Sequence, residues 1–273
     1  MNKKVLMSIL IIITFLSTLN FFYFNSPFFM KNRLKNLSSL EKEYLENFFQ
    51  YIIRISSFGY VLFGDKPMSI DAYDPVTPLE NIEGIDYMDD YHILGKYRFK
   101  EGWKTWKKYQ HLFPSSNFVF FSYPHPQIPD YIEICLINKM AFIKTVQENL
   151  KDFHQVLGKN ISSHEVLNSY LNQDDIFLII RNHDGLLGTL LGYGRGNAWA
   201  FAQFVDSKDT DFDIFDDENP EEMKFALLPG FRAFTNTKET KDLKFKYLKQ
   251  REILEKIYSK QDFTIPTLNK LSK

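Results

Sequence analysis

Cysteine is almost absent from this chain. Cys135 is the single cysteine among 273 residues, which excludes an intrachain disulfide and any thiolate-bound metal cluster. An excess of one charge is also missing, because 33 Lys plus Arg face 34 Asp plus Glu. Nothing global therefore calls for nucleic acid or for an acidic partner. No repeat recurs at a solenoid period, and the hydrolase signatures G-x-S-x-G and H-E-x-x-H do not occur. Apolar residues are plentiful: 44% of the chain is hydrophobic and 16% aromatic, so it can bury a core. The aromatic enrichment is the kind that A/T-rich codons produce without selection, and it identifies no site.

The long apolar run lies at the amino terminus. Lys3 and Lys4 lead into Val5 to Leu16, and after Ser17, Thr18 and Asn20 the apolar character resumes through Phe24. This is the basic and hydrophobic pattern of a secretory signal. Small residues at cleavage spacing are poor, so the expectation is an uncleaved anchor over residues 1–24. As a helix, Val5 to Phe24 is about 30 Å long, the thickness of a bilayer core. Lys31, Arg33 and Lys35 on the far side leave little charge asymmetry. The expected topology is a single-pass inner-membrane protein with its globular part outside the cytoplasm. A buried core helix is the competing reading of the run.

Residues 25–37 read as a linker, and 38–273 as one globular domain. Ser38 with Glu41, and Ser162 with Glu165, have capping-box spacing, so helices are predicted behind both. Leu40, Tyr44, Leu45, Phe48, Ile52 and Ile55 share one face of the first. Gly59 to Phe63 reads as a strand, joined through Gly64-Asp65-Lys66-Pro67 to a second extended piece, Met68 to Ala72, as a hairpin. Residues 89–112 read as a helix weakened by Gly95 and Gly102. Phe118 to Ser122 and Tyr131 to Ile137 read as strands across a proline-rich loop. One helix is predicted from Lys139 to Leu157, stopped by Gly158, and another from Thr237 to Lys260. Strands and helices do not alternate regularly. The predicted class is α+β, mainly helical with a small antiparallel sheet, preceded by one transmembrane helix.

Chemistry is densest between Asn182 and Trp199, which hold five of the chain's 12 glycines. Gly192, Gly194 and Gly196 lack the rest of a dinucleotide or phosphate-loop fingerprint. As a helix capped by Asp184, the segment places Gly188 and Gly192 where another backbone can approach closely. A ligand-facing turn over Gly192 to Gly196 is the other reading. His183-Asp184 resembles the metal-binding dipeptide of HD-type phosphohydrolases, but two-residue matches occur by chance and His183 is more simply a polar residue at a helix start. The acidic run from Asp206 to Glu218 has EF-hand alternation, yet Ile214 and Pro220 stand where Gly and Glu are required. No metal or cofactor is expected. Cys135, between Ile134 and Leu136, reads as a buried small hydrophobe. Lysines and aromatics interleave from Tyr97 to Tyr109, as a membrane-surface stripe, a single-strand-binding stripe or an ordinary amphipathic helix.

Phe58-Gly59-Tyr60-Val61-Leu62-Phe63-Gly64-Asp65-Lys66-Pro67 and Leu187-Gly188-Thr189-Leu190-Leu191-Gly192-Tyr193-Gly194 resemble an uncharacterised family of chlamydia-type intracellular bacteria. The resemblance implies an origin and no activity. Two functional expectations stand. One is a membrane-anchored, non-catalytic interaction domain that touches the bilayer through residues 5–24, docks a protein partner and binds no nucleic acid. The alternative is an envelope hydrolase or small-ligand-binding protein with a pocket near 182–197, gathering Asp65, Lys66, His183, Asp184, Arg195 and Asn197.

Overall fold

The computed structural model describes residues 32–73, 99–125, 128, 131–158, 160–172, 176–204, 212–215 and 225–273. Residues 5–24, read as the anchor, and the acidic run apart from 212–215 lie outside the described residues. No described helix is long and apolar enough to cross a membrane.

Helix α1 (Ser39–Arg54) starts on the predicted capping box: the Glu41 amide donates to Ser38 Oγ at 3.2 Å, and the Ser38 amide donates to the Glu41 carboxylate at 2.8 Å. Leu45, Phe48 and Ile52 of its predicted face are buried, while Leu40 is exposed. The strand expected at Gly59 to Phe63 is instead a short buried helix, α2 (Phe58–Leu62). A brief apolar run fits either conformation, and packing decides here. A Cβ on Gly59 would lie 2.9 Å from Leu254 Cδ1, so glycine lets this turn approach the long carboxyl-terminal helix.

With no strand before the Gly64 to Pro67 turn, no hairpin forms there. Strand β1 (Met68–Tyr73) pairs with a distant strand instead. Helix α3 covers 99–109, followed by β2 (Phe118–Pro124) and β3 (Ile132–Asn138). The order is β1-β3-β2, antiparallel throughout, with Ile70 opposite Cys135 and Cys135 opposite Phe121. Alternation along the strands feeds two cores. Phe118, Phe120, Ile134 and Leu136 join α1, α2 and α3 on one side. Met68, Tyr123, Cys135 and Ile137 join the following helices on the other. The sheet is therefore covered on both faces. That is why every residue from Glu133 to Ile137 is buried, and Cys135 is the buried hydrophobe its neighbours imply.

In α3, Phe99, Trp103 and Trp106 are buried, while Lys104, Lys107 and Lys108 face outward. This is the ordinary amphipathic helix, and Lys108 reaches Glu41 at 2.7 Å. The single helix predicted over Lys139 to Leu157 is broken into α4 (Lys139–Glu148) and α5 (Leu150–Leu157) at Asn149. The Asn149 side chain donates to Thr145 O at 2.8 Å, a local bond that competes with continuing the helix. Gly158 ends α5 with φ 67°. The second capping box, Ser162 with Glu165, opens α6 (Ser163–Asn172). The rest comprises α7 (Ile176–Ile179), α8 (Asp184–Leu190), α9 (Arg195–Phe204), a ribbon of β4 (Phe212–Phe215) and β5 (Phe231–Phe234), α10 (Lys238–Ile257) and α11 (Thr264–Leu271). The class is α+β, mainly helical around a small antiparallel sheet.

The close crossing of α1 and α3 gives the first prediction. A Cβ on Gly102 would sit 2.2 Å from Phe48 Cβ and 2.7 Å from Tyr44 O. Overpacking of this kind costs about 1–3 kcal/mol. Gly102→Ala is expected to lower the unfolding free energy by that amount, read as a lower denaturant midpoint with the unfolding slope unchanged. A neutral or stabilising result, as helix propensity alone would give, contradicts the packing account.

Candidate functional site

The glycine-rich segment forms two short helices and the turn between them. They touch at Gly188, where an added Cβ would lie 2.8 Å from Ala198 Cβ. Close backbone approach is thus the role of Gly188. Gly192 follows the turn reading and not the helix one: it lies beyond the end of α8, at φ 76°. The cap also differs. His183, not Asp184, precedes the helix, and its Nδ1 accepts from the Leu186 amide at 3.3 Å. The His183 ring packs on Trp199 at 4.8 Å. Among the described residues no group of three or more His, Cys, Asp or Glu is placed to hold a metal ion.

The turn from Gly192 to Gly196 presents backbone donors as an anion-binding nest does. Its anion comes from the chain itself. Glu239, in the first turn of α10, accepts from the Gly196 amide at 3.1 Å and the Asn197 amide at 2.9 Å. A Cβ on Gly194 would lie 2.8 Å from the Glu239 carboxyl carbon, and one on Gly196 would lie 2.5 Å from its Oε2. Glycine at both positions makes room for this carboxylate. Asn197 is buried and fully engaged: its Nδ2 donates to Tyr193 O at 3.0 Å, and its Oδ1 accepts from Thr240 at 2.9 Å. Arg195 forms a two-point ion pair with Asp152 of α5 at 2.5 and 2.8 Å. That bond raises the guanidinium pKa further.

Lys66 and Asp65 approach from the segment before β1. Asp65 stays exposed, bound to Lys246 at 3.1 Å and to Gln250 at 2.7 Å. Lys66 is 1% exposed. Its Nζ donates to Leu191 O and lies 5.0 Å from the Tyr193 ring centroid. Tyr247 of α10 donates to Gly192 O at 2.6 Å. The 191–193 turn is therefore held by three buried side chains, Lys66, Tyr247 and Asn197, and the two sequence motifs, distant in the chain, meet at Lys66 and Leu191. Burial pushes the Lys66 ammonium down to about 7; repulsion from Lys246 adds to the effect, and Cys135 opposes it.

Beyond this turn, α8, α9 and β5 enclose a cavity of about 300 Å³. Its walls are Leu187, Leu191, Tyr193, Ala198, Phe201 and Phe231, with Gly188, Asp184, Asn197 and Arg232 also lining it. Tyr193 stacks on Phe231 at 4.5 Å. Of the six nominated residues, Asp184 and Asn197 line the cavity, and Lys66 braces its wall from behind. Asp65, His183 and Arg195 are held elsewhere. Sequence reasoning missed Phe201, Phe231 and Arg232. Phe201 had a faint signal, since it lies four residues after Asn197 on α9, but nothing local announces Phe231 or Arg232. Compared with known proteins, the chain matches no family model, no curated protein and no solved structure.

The buried lysine makes stability depend on pH with a definite sign. The unfolded side chain titrates near 10.5 and the folded one near 7. Between those values the unfolded chain binds the proton and the folded chain does not, so stability rises with pH across the window. Below pH 7 the full cost of the buried charge is present, on the order of a few kcal/mol. Relative to Lys66→Met, the wild type is expected to gain that amount between about pH 7 and pH 10. Chemical denaturation of both proteins measures the difference. A constant gap would mean that Lys66 is not titrating in the fold.

Proposed function

We propose that the protein is a membrane-tethered, non-catalytic binding domain that takes a small apolar ligand between α8, α9 and β5. The observation that carries this reading is the cavity of about 300 Å³ with apolar walls. It is about twice the volume of a cavity that accepts benzene, room for a short acyl chain or a compact aromatic. Three polar groups beside it are already engaged, which favours binding over hydrolysis: Glu239 on the α9 amides, Asn197 on Tyr193 O and Thr240, and Arg195 on the Asp152 carboxylate. A nucleophile and base aimed into the same space would have favoured a hydrolase. The tether is residues 5–24, with the domain outside the cytoplasm in a single-pass inner-membrane protein. The family resemblance of the two motifs adds an origin in chlamydia-type bacteria to this reading.

Two measurements test it. In membranes carrying the full chain, trifluoromethylphenyl diazirine should label Leu187, Leu191 and Phe201 above other buried positions, and excess decanol should suppress the label. Leu187→Trp, which fills the cavity, should abolish it. Labelling indifferent to both would refute the ligand site. Alkaline carbonate should leave the full-length protein in the membrane pellet, and its release to the supernatant would refute the tether.

A further inference from the structure

Among the described residues no carboxylate is paired with the Lys66 ammonium. The groups that face it are Tyr60 of α2, whose carbonyl accepts from the Lys66 amide at 3.3 Å, Cys135 of β3, Tyr193 of the turn, and Lys246 and Tyr247 of α10. Asp65, its chain neighbour, turns to Lys246 and Gln250. The ammonium is thus solvated by Leu191 O and by the face of Tyr193, both of which line the cavity. The positive charge strengthens the first of these contacts and creates the second. A charge-assisted hydrogen bond is about twice as strong as a neutral one, and attraction to a ring face vanishes with the cation.

The turn so held has little rigidity of its own. Gly192 and Gly194 both have left-handed φ, 76° and 83°. A Cβ on Gly192 would lie 3.0 Å from Pro67 and 3.3 Å from Lys66 Cγ, so the lysine stem packs directly against the turn. When Lys66 loses its proton, its bond to Leu191 O loses charge assistance and its attraction to the Tyr193 ring is lost, while Tyr247 keeps Gly192 O and Asn197 keeps Tyr193 O. Deprotonation therefore loosens one wall of the cavity. A ligand that needs the ordered wall must then supply the ordering free energy itself and binds less tightly.

We propose that Lys66 is the positioning residue of the apolar site, its ammonium bracing Leu191 and Tyr193 so that the cavity binds tightly when Lys66 is protonated and weakly when it is neutral. The inference rests on the cavity being the binding site. The depressed pKa of Lys66 places the transition close to neutral pH, and by reciprocity an occupied cavity favours the protonated lysine.

The test uses the full chain in membranes and the neutral trifluoromethylphenyl diazirine, with labelling of peptides remote from the cavity as the reference at each pH. Cavity labelling in the wild type should fall by roughly fivefold or more between pH 6 and pH 8.5. Lys66→Met should label weakly at every pH. His183→Asn, which supplies another capping acceptor for α8, should keep the wild-type slope. A flat wild-type profile, or a slope that survives in Lys66→Met and disappears in His183→Asn, overturns the proposal. Hydrogen exchange of the Gly192 and Tyr193 amides, which donate to Thr189 O and Gly188 O at 3.1 and 3.0 Å, reads the wall without any ligand. Their protection factors should fall over the same pH range in the wild type and not in Lys66→Met. If the cavity takes no label while protection still follows Lys66, the ligand reading fails and the brace stands. If labelling and protection are both independent of pH, the brace fails.

Discussion

A run of buried residues in the central strand, Glu133 to Ile137, obliges the protein to cover its sheet on both faces. A strand with one wet face would alternate, whereas β3 sends Ile134 and Leu136 into one core and Cys135 and Ile137 into the other. Two helical layers follow from that requirement. So do the close approaches that glycine permits, Gly59 beneath Leu254 and Gly102 against Phe48. Even the charged member of the run conforms: Glu133 lies 3.5 Å from His125, just beyond the end of β2.

The glycine-rich segment gathers side chains from both layers and from the sheet's flank. Asp152 comes from α5, Lys66 from the approach to β1, and Glu239, Thr240 and Tyr247 from α10. Its open amides resemble those of an anion-binding loop, but an internal carboxylate already occupies them. This changes the chemistry the segment offers. With the Gly196 and Asn197 amides taken by Glu239, and Asn197 and Arg195 engaged by Tyr193, Thr240 and Asp152, the segment offers the apolar space between α8, α9 and β5.

How far the sequence could be read depended on the range of the interaction. Both capping boxes, the stop at Gly158 and the faces of α3 and α10 depend on neighbours within a turn or two, and spacing revealed them. The α2 segment was misread because five apolar residues carry no period long enough to separate helix from strand. Gly192 fits both a helix and a turn in the sequence, because a sequence cannot tell a glycine that admits a neighbouring backbone from one that supplies positive φ. Glu239 on Gly196 is separated by 43 residues, and Lys66 on Leu191 by 125. The motif draws attention to Lys66, but its burial is created wholly by tertiary packing.

A lysine at this position is a poor choice for stability alone. Methionine has a similar unbranched stem, packs in apolar surroundings without desolvating a charge, and would spare the fold a cost that grows as pH falls towards neutrality. What methionine lacks is a donor for Leu191 O and a cation for Tyr193. Those two contacts act on a turn whose left-handed glycines impose no single shape, so the conformation of the cavity wall is decided by the side chains that hold it. Tyr247 fixes Gly192 O regardless of pH near neutrality, since burial raises its hydroxyl well above the ordinary range. Lys66 is then the variable tie of the pair, and the charge that burdens the fold is the same charge that shapes the site.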